Sequence, residues 1–231
     1  MKPDTSDDIH RLTKKMKQGF SFIELSIVLV IIGLLVAGVT GGARLMESSK
    51  LSKLIQEIHQ INSSYEQFKM TYHAIPGDFN DAESFWGSSE TTNGDGNRKI
   101  LGTEMTHALK QLTLAELSDY EYDNSNYYIL ESFPQASLRF MHSEQGNFPY
   151  AQTSNLILIG KPDYAEQPYL RPASSYKIDT KIDDGLPKSG IMTYRTGGAT
   201  AGVEATCTNT STSYYSTYNE PGCNSAISLA K

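Results

Sequence analysis

The chain has 231 residues, of which 39% are hydrophobic and 20% charged, and carries a net charge of −6. That length allows one ordinary domain plus an appendage. A mildly acidic chain without a basic stripe argues against a nucleic-acid-binding surface, because nothing is available to meet phosphates.

The charge is unevenly spread. Residues 1–19 carry Lys2, Arg11, Lys14, Lys15 and Lys17 against Asp4, Asp7 and Asp8, a net of +2, leaving −6 − 2 = −8 for the other 212 residues. A positive stretch ahead of an apolar span predicts that its N-terminal side stays in the cytoplasm. The span follows at once. Lys17-Gln18-Gly19-Phe20-Ser21-Phe22-Ile23-Glu24-Leu25 opens it, and from Leu25 to Val39 no charged residue occurs. A carboxylate one turn inside such a run is costly in lipid and is rarely there without a use.

Phe20 to Val39 is 20 residues, about the hydrocarbon thickness at 1.5 Å per residue. A secretory signal would have a shorter apolar region and a small-residue cleavage site. Ala37-Gly38-Val39 and Gly41-Gly42-Ala43 mimic that site, but the helical pattern runs straight past them. Leu51, Leu54, Ile58, Ile61, Tyr65, Phe68 and Tyr72 recur at steps of 3 and 4, a seam along one helix face. Lys50, Lys53, Gln56, Glu57 and Gln60 fill the other faces. Pro76-Gly77 predicts a stop near Ala74, giving one helix about 80 Å long at 1.5 Å per residue.

Lys17 to Leu25 resembles the processing site of type IV pilins and type II secretion pseudopilins. The resemblance covers residues 17 to about 45. It implies cleavage between Gly19 and Phe20 by a prepilin peptidase, which then methylates the new N-terminal Phe20. It also implies that Glu24, the fifth mature residue, pairs with the N-terminal amine of a neighbouring subunit during filament assembly. An anion in a lipid-like setting is best neutralised by a cation at similar depth, and the new α-amino group is one. The implied organisation is a cytoplasmic leader (1–19), a transmembrane and assembly helix (20–43), its amphipathic continuation (44–75) and an exported domain (76–231). The implied location is the bacterial inner membrane, crossed once, with the C-terminal domain periplasmic, and then a pilus or pseudopilus.

In the exported part, Asn80 or Asp81 is expected to cap a short turn ending at Gly87, with Phe85 and Trp86 as core anchors. Thr92 to Asn97 looks like part of a calcium loop. Counted from Thr91 it lacks the first carboxylate and has Gly102 where a bidentate Glu is needed, so the EF-hand pattern fails. A polar turn is the default there. Some pseudopilins bind calcium in the exported domain, and that resemblance keeps Asn93 and Asp95 as weak calcium candidates. No other cofactor is expected.

Thr103 to Leu117 reads as a helix capped by Thr103, with Met105, Leu109, Leu112 and Leu117 as its apolar side. Tyr127–Leu130, Ser137–Met141 and Asn155–Ile159 read as strands. Ala173 to Asp183 reads as a further helix ending at Asp184-Gly185 before Pro187, with Gly185 at its C-cap and Asp179, Asp183 and Asp184 forming a solvated polar terminus; a metal site is the alternative. Thr196 to Asn224, rich in Thr, Ser, Gly and Tyr, reads as a surface loop. Outside the cytoplasm Cys207 and Cys223 would pair across 15 intervening residues, worth about 3 kcal/mol in the chain-entropy argument. Two free thiols are the alternative. The segment resembles the C-terminal cystine loop of many type IV pilins, and its Tyr214, Tyr215 and Tyr218 are expected to be exposed.

No enzyme signature is present. His10, His59, His73, His107 and His142 lack metal-ligand spacing, and no phosphate-binding glycine loop, Gly-x-Ser-x-Gly or Cys-x-x-Cys occurs. The chain reads as an enzyme's substrate rather than an enzyme. The expected fold is α+β and pilin-like, a long N-terminal helix packed on an antiparallel sheet with a C-terminal disulfide loop. The expected function is a structural subunit of a type IV pilus or type II secretion pseudopilus. Its partners would be the prepilin peptidase/methyltransferase, other pilin or pseudopilin subunits and the inner membrane. The alternative is a membrane-anchored, non-polymerising binding protein or a minor tip pilin or adhesin. Tip subunits often lack the glutamate, so Glu24 favours the shaft.

Overall fold

The computed structural model describes residues 19, 21–120, 127–134, 136–145, 153–162, 167–194, 207–210, 213–214 and 220–229. The chain divides into two compact units, Met1–Met46 and Glu47–Lys231. The first consists, among the described residues, of Gly19, Ser21 and the apolar part of helix α1, which runs Phe22–Tyr72.

In the second unit, the remainder of α1 buries the predicted seam. Leu51, Leu54, Ile58, Ile61, Tyr65 and Phe68 are all buried, and Tyr72 is half-buried. Fully burying one such side chain is worth about 1.5–3 kcal/mol, so this face and not helix propensity holds the helix down. The helix ends two residues before the predicted Ala74: His73 turns to a φ of 53° and leaves the helical region.

The sheet receiving that seam has five strands: β1 (Tyr128–Ile129), β2 (Ser137–His142), β3 (Asn155–Gly160), β4 (Met192–Tyr194) and β7 (Ser225–Ser228). Their order is β1-β2-β3-β7-β4, and every pairing is antiparallel. In register, Phe140 faces Ile157, Ile157 faces Ile227, and Ile227 faces Met192, forming one apolar row across the sheet. The Tyr65 ring stacks on Phe140 with centroids 5.7 Å apart, and its hydroxyl accepts from Asn155 Nδ2 at 3.3 Å. A buried glutamate also ties the helix to the segment before β2: the Glu57 carboxylate accepts from the Ser132 N–H and hydroxyl, each at 2.9 Å. The opposite sheet face buries Met141, Leu156, Leu158 and Ala226.

Three further helices are α2 (Ala82–Trp86), α3 (Glu104–Leu114) and α4 (Pro172–Ile182). A small hairpin joins β5 (Thr208–Thr210) to β6 (Ser213–Tyr214). Several expectations need correction. Phe85 is 59% exposed and anchors no core; Trp86 is half-buried and packs on Phe68, Tyr72 and Phe79. Asp81 occupies the cap position of α2 and Thr103 that of α3, but neither side chain makes a capping hydrogen bond. At α3 that role passes to Glu104, whose carboxylate reaches back to the N–H groups of Leu101 and Asp95. Helix α3 stops at Leu114 and not Leu117, because Glu116 adopts a φ of 57°. Strand β1 keeps only two residues of the predicted four.

The cystine segment departs furthest from a plain surface loop. Cys207 and Cys223 are joined by a disulfide and both are buried. Leu170 pairs with Cys223 as an antiparallel bridge, and the chain then enters β7, a central strand. Tyr214, expected to be exposed, is buried at 8% exposure with its hydroxyl bonded to Asp179. Tyr215 and Tyr218 lie outside the described residues.

Candidate functional site

The N-terminal end of α1 is built by four residues. Ser21 precedes the first helical residue, and its carbonyl accepts from the Leu25 N–H at 3.1 Å, the first turn of the helix. The Ser21 N–H is itself bonded by Glu24 Oε2 at 2.7 Å. Ser21-x-x-Glu24 therefore forms the glutamate half of a capping box, satisfying one of the donors that a helix start leaves without a partner. The carboxylate also lies where the helix dipole is positive, which favours a negative charge. Gly19 is exposed with open space around its Cα, and a side chain there would meet nothing within 4 Å. Phe20 and the leader before Gly19 lie outside the described residues.

On both sides of Glu24 the helix presents apolar side chains to the outside. Phe22, Ile23, Leu25, Leu29, Val30 and Leu34 are each at least half exposed, and none of the most apolar stretch is buried inside the protein. Among the described residues this is the one helix long and apolar enough to cross a membrane. Its few polar groups are satisfied within the helix: Ser26 Oγ donates to the Ile23 carbonyl at 2.8 Å, and Thr40 Oγ1 to the Val36 carbonyl at 3.0 Å. A segment with exposed apolar side chains and satisfied polar groups suits lipid or a packed helix bundle, and not water.

The two calcium candidates, Asn93 and Asp95, have different partners. Asn93 Oδ1 accepts from the Glu83 N–H at 2.9 Å, at the start of α2. Asp95 instead groups with Asp78 and Glu104, one oxygen of each lying within 4.8 Å of the others. Every oxygen of that trio is engaged. Asp78 accepts from the N–H groups of Gly96 (2.6 Å) and Arg98 (2.5 Å), Asp95 from the backbone and side-chain nitrogens of Asn97, and Glu104 from Asp95 and Leu101. Burial nevertheless pushes the Asp78 carboxyl up to about 6, with the Gly96 and Arg98 N–H groups pulling the other way. Gly94 makes the tight loop, since a Cβ there would lie 2.4 Å from the backbone of Asp78. The trio holds loop 94–101 against α3. Asp78 and Glu104 were missed by sequence reading because they flank the Asn-Gly-Asp turn by many residues on either side.

At the end of α4 a second acidic group forms. One oxygen each of Asp179, Asp183 and Asp184 lie within 4.8 Å of one another. Asp179 is not solvated as expected but fully buried, and burial with the neighbouring carboxylates pushes its pKa up to about 6. Asp183 Oδ2 receives the N–H groups of Ile191 (2.5 Å) and Met192 (2.9 Å), and its carboxylate fills the space a side chain at Gly190 would need. Asp184 caps the next turn, accepting from the Leu186 N–H at 2.8 Å and the Ser189 hydroxyl at 2.7 Å.

Compared with known proteins, residues 14–40 match the family described as the prokaryotic N-terminal methylation motif. No curated protein and no solved structure matches the chain. The matched residues include Gly19 and Phe20 in the sequence, Glu24 at the first turn of α1 and the uncharged apolar run behind it. The chain therefore carries, at residues 14–40, the N-terminal methylation signature that marks type IV pilins and pseudopilins.

Proposed function

We propose that the chain is a structural subunit of a filament, a type IV pilus or a type II secretion pseudopilus. It would be inserted in the inner membrane by α1, cut after Gly19, methylated on Phe20 and assembled through α1 with Glu24 paired to a neighbour's N-terminal amine. The observation that carries this reading is the methylation signature lying on a helix whose apolar half is exposed on every side. An apolar surface of that extent needs lipid before assembly and other helices after it. The second half of the same helix is committed to the core of its own domain, so that domain travels with the helix into any assembly. Residues 76–231 would then face the periplasm, the positive leader remaining on the cytoplasmic side.

Glu24→Ala tests the assembly step. The variant is expected to be processed normally and to remain in the membrane while failing to enter filaments. Normal incorporation would overturn the filament reading in favour of an anchored protein that does not polymerise.

A further inference from the structure

We infer that Asp179, Asp183 and Asp184 hold a hard divalent cation of the calcium class at the C-terminal end of α4. The geometry is a convergence of three carboxylates with one oxygen each inside 4.8 Å. The second observation is independent of that clustering: Asp179 has no exposed surface, and its Oδ1 has no hydrogen-bond partner. The Tyr214 hydroxyl donates to Oδ2 of the same carboxylate, and the Gly185 N–H also approaches it. A fully buried acceptor without a donor costs free energy, and it does so more when two further carboxylates share the space.

The contrast with Asp78, Asp95 and Glu104 is informative. There all six oxygens accept N–H bonds, so the protein supplies its own compensation. At the end of α4 compensation is incomplete. The helix adds to the deficit, because its C-terminal carbonyls give a negative potential, unfavourable for acids and favourable for a cation. An all-oxygen donor set selects a hard ion, and carboxylates on a turn tolerate the irregular, high coordination of Ca²⁺ better than the strict octahedron of Mg²⁺. Such an ion would clamp three elements. Asp179 belongs to α4, Asp183 holds the strand start at Ile191 and Met192, and Tyr214 links the site to the cystine segment. This inference does not depend on the filament reading.

The test uses the full chain in detergent, stripped with a chelator and titrated with Ca²⁺. Thermal unfolding is one readout, and Tb³⁺ luminescence sensitised by Tyr214 is the other. One ion should bind with a Kd at or below about 10⁻³ M and raise the Tm. Asp179→Asn should weaken binding at least tenfold. Asp184→Asn, at an exposed position that keeps the Leu186 cap through its amide oxygen, should do the same without threatening the fold. Asp95→Asn should leave binding unchanged. The inference is overturned if no Ca²⁺ binds, if binding survives in Asp184→Asn, or if Asp95→Asn is the variant that abolishes it.

Discussion

Glu24 Oε2 accepts from the Ser21 N–H at 2.7 Å, so its carboxylate has a partner within its own helix turn. That bond and the charge can be separated. Glu24→Gln keeps an acceptor for Ser21 but removes the charge, whereas Glu24→Ala removes both. If the charge serves an amine on a neighbour, both variants should fail to incorporate, scored by the amount of subunit in sheared filaments. At Gly94 the prediction concerns space. A methyl group would meet the Asp78 backbone at 2.4 Å, so Gly94→Ala should lower stability by about 1–3 kcal/mol, measured by denaturant unfolding. Asp78 makes a pH prediction. Its folded pKa of about 6 lies above the ordinary 3.8, so the folded state binds the proton more tightly. This contribution to stability is present below pH 3.8 and is lost as pH rises through 6. Asp78→Asn should flatten that part of the unfolding profile, and an unchanged slope between pH 4 and 6 would contradict the assignment.

Helix α1 was legible at the scale of the element because its seam repeats with helical spacing, and all six positions from Leu51 to Phe68 are buried as that spacing requires. Strands β2 and β3 were legible from their continuous apolar runs. Strand β7 was not: Ser225-Ala226-Ile227-Ser228 has a single β-branched apolar residue, yet it pairs with both β3 and β4. Its place is set by the strands on either side and not by its own composition. The burial of Tyr214 has no local signal for a similar reason, since its partner Asp179 lies 35 residues earlier and no local pattern announces the contact. The capping role of Glu24 is readable as Ser21-x-x-Glu24, because the helix begins directly after Ser21. Two element-scale predictions follow from the packing. Phe68→Ala removes the ring on which Tyr72, Phe79 and Trp86 converge and should cost about 3–5 kcal/mol in denaturant unfolding. Reducing the Cys207–Cys223 bond should cost about 3 kcal/mol by releasing a short loop, read from the shift in unfolding midpoint.

Among the described residues, helix α1 joins an apolar stretch with no buried residue to a continuation whose seam is buried on the antiparallel sheet of the second unit. Residues 14–40, which include the start of that helix, match the N-terminal methylation motif. Mass spectrometry of the membrane-associated chain tests this most directly. The account predicts a mature polypeptide beginning at N-methylated Phe20, with residues 1–19 absent. An N-terminus that keeps residues 1–19, or cleavage near Ala43 that discards the apolar helix, would contradict it.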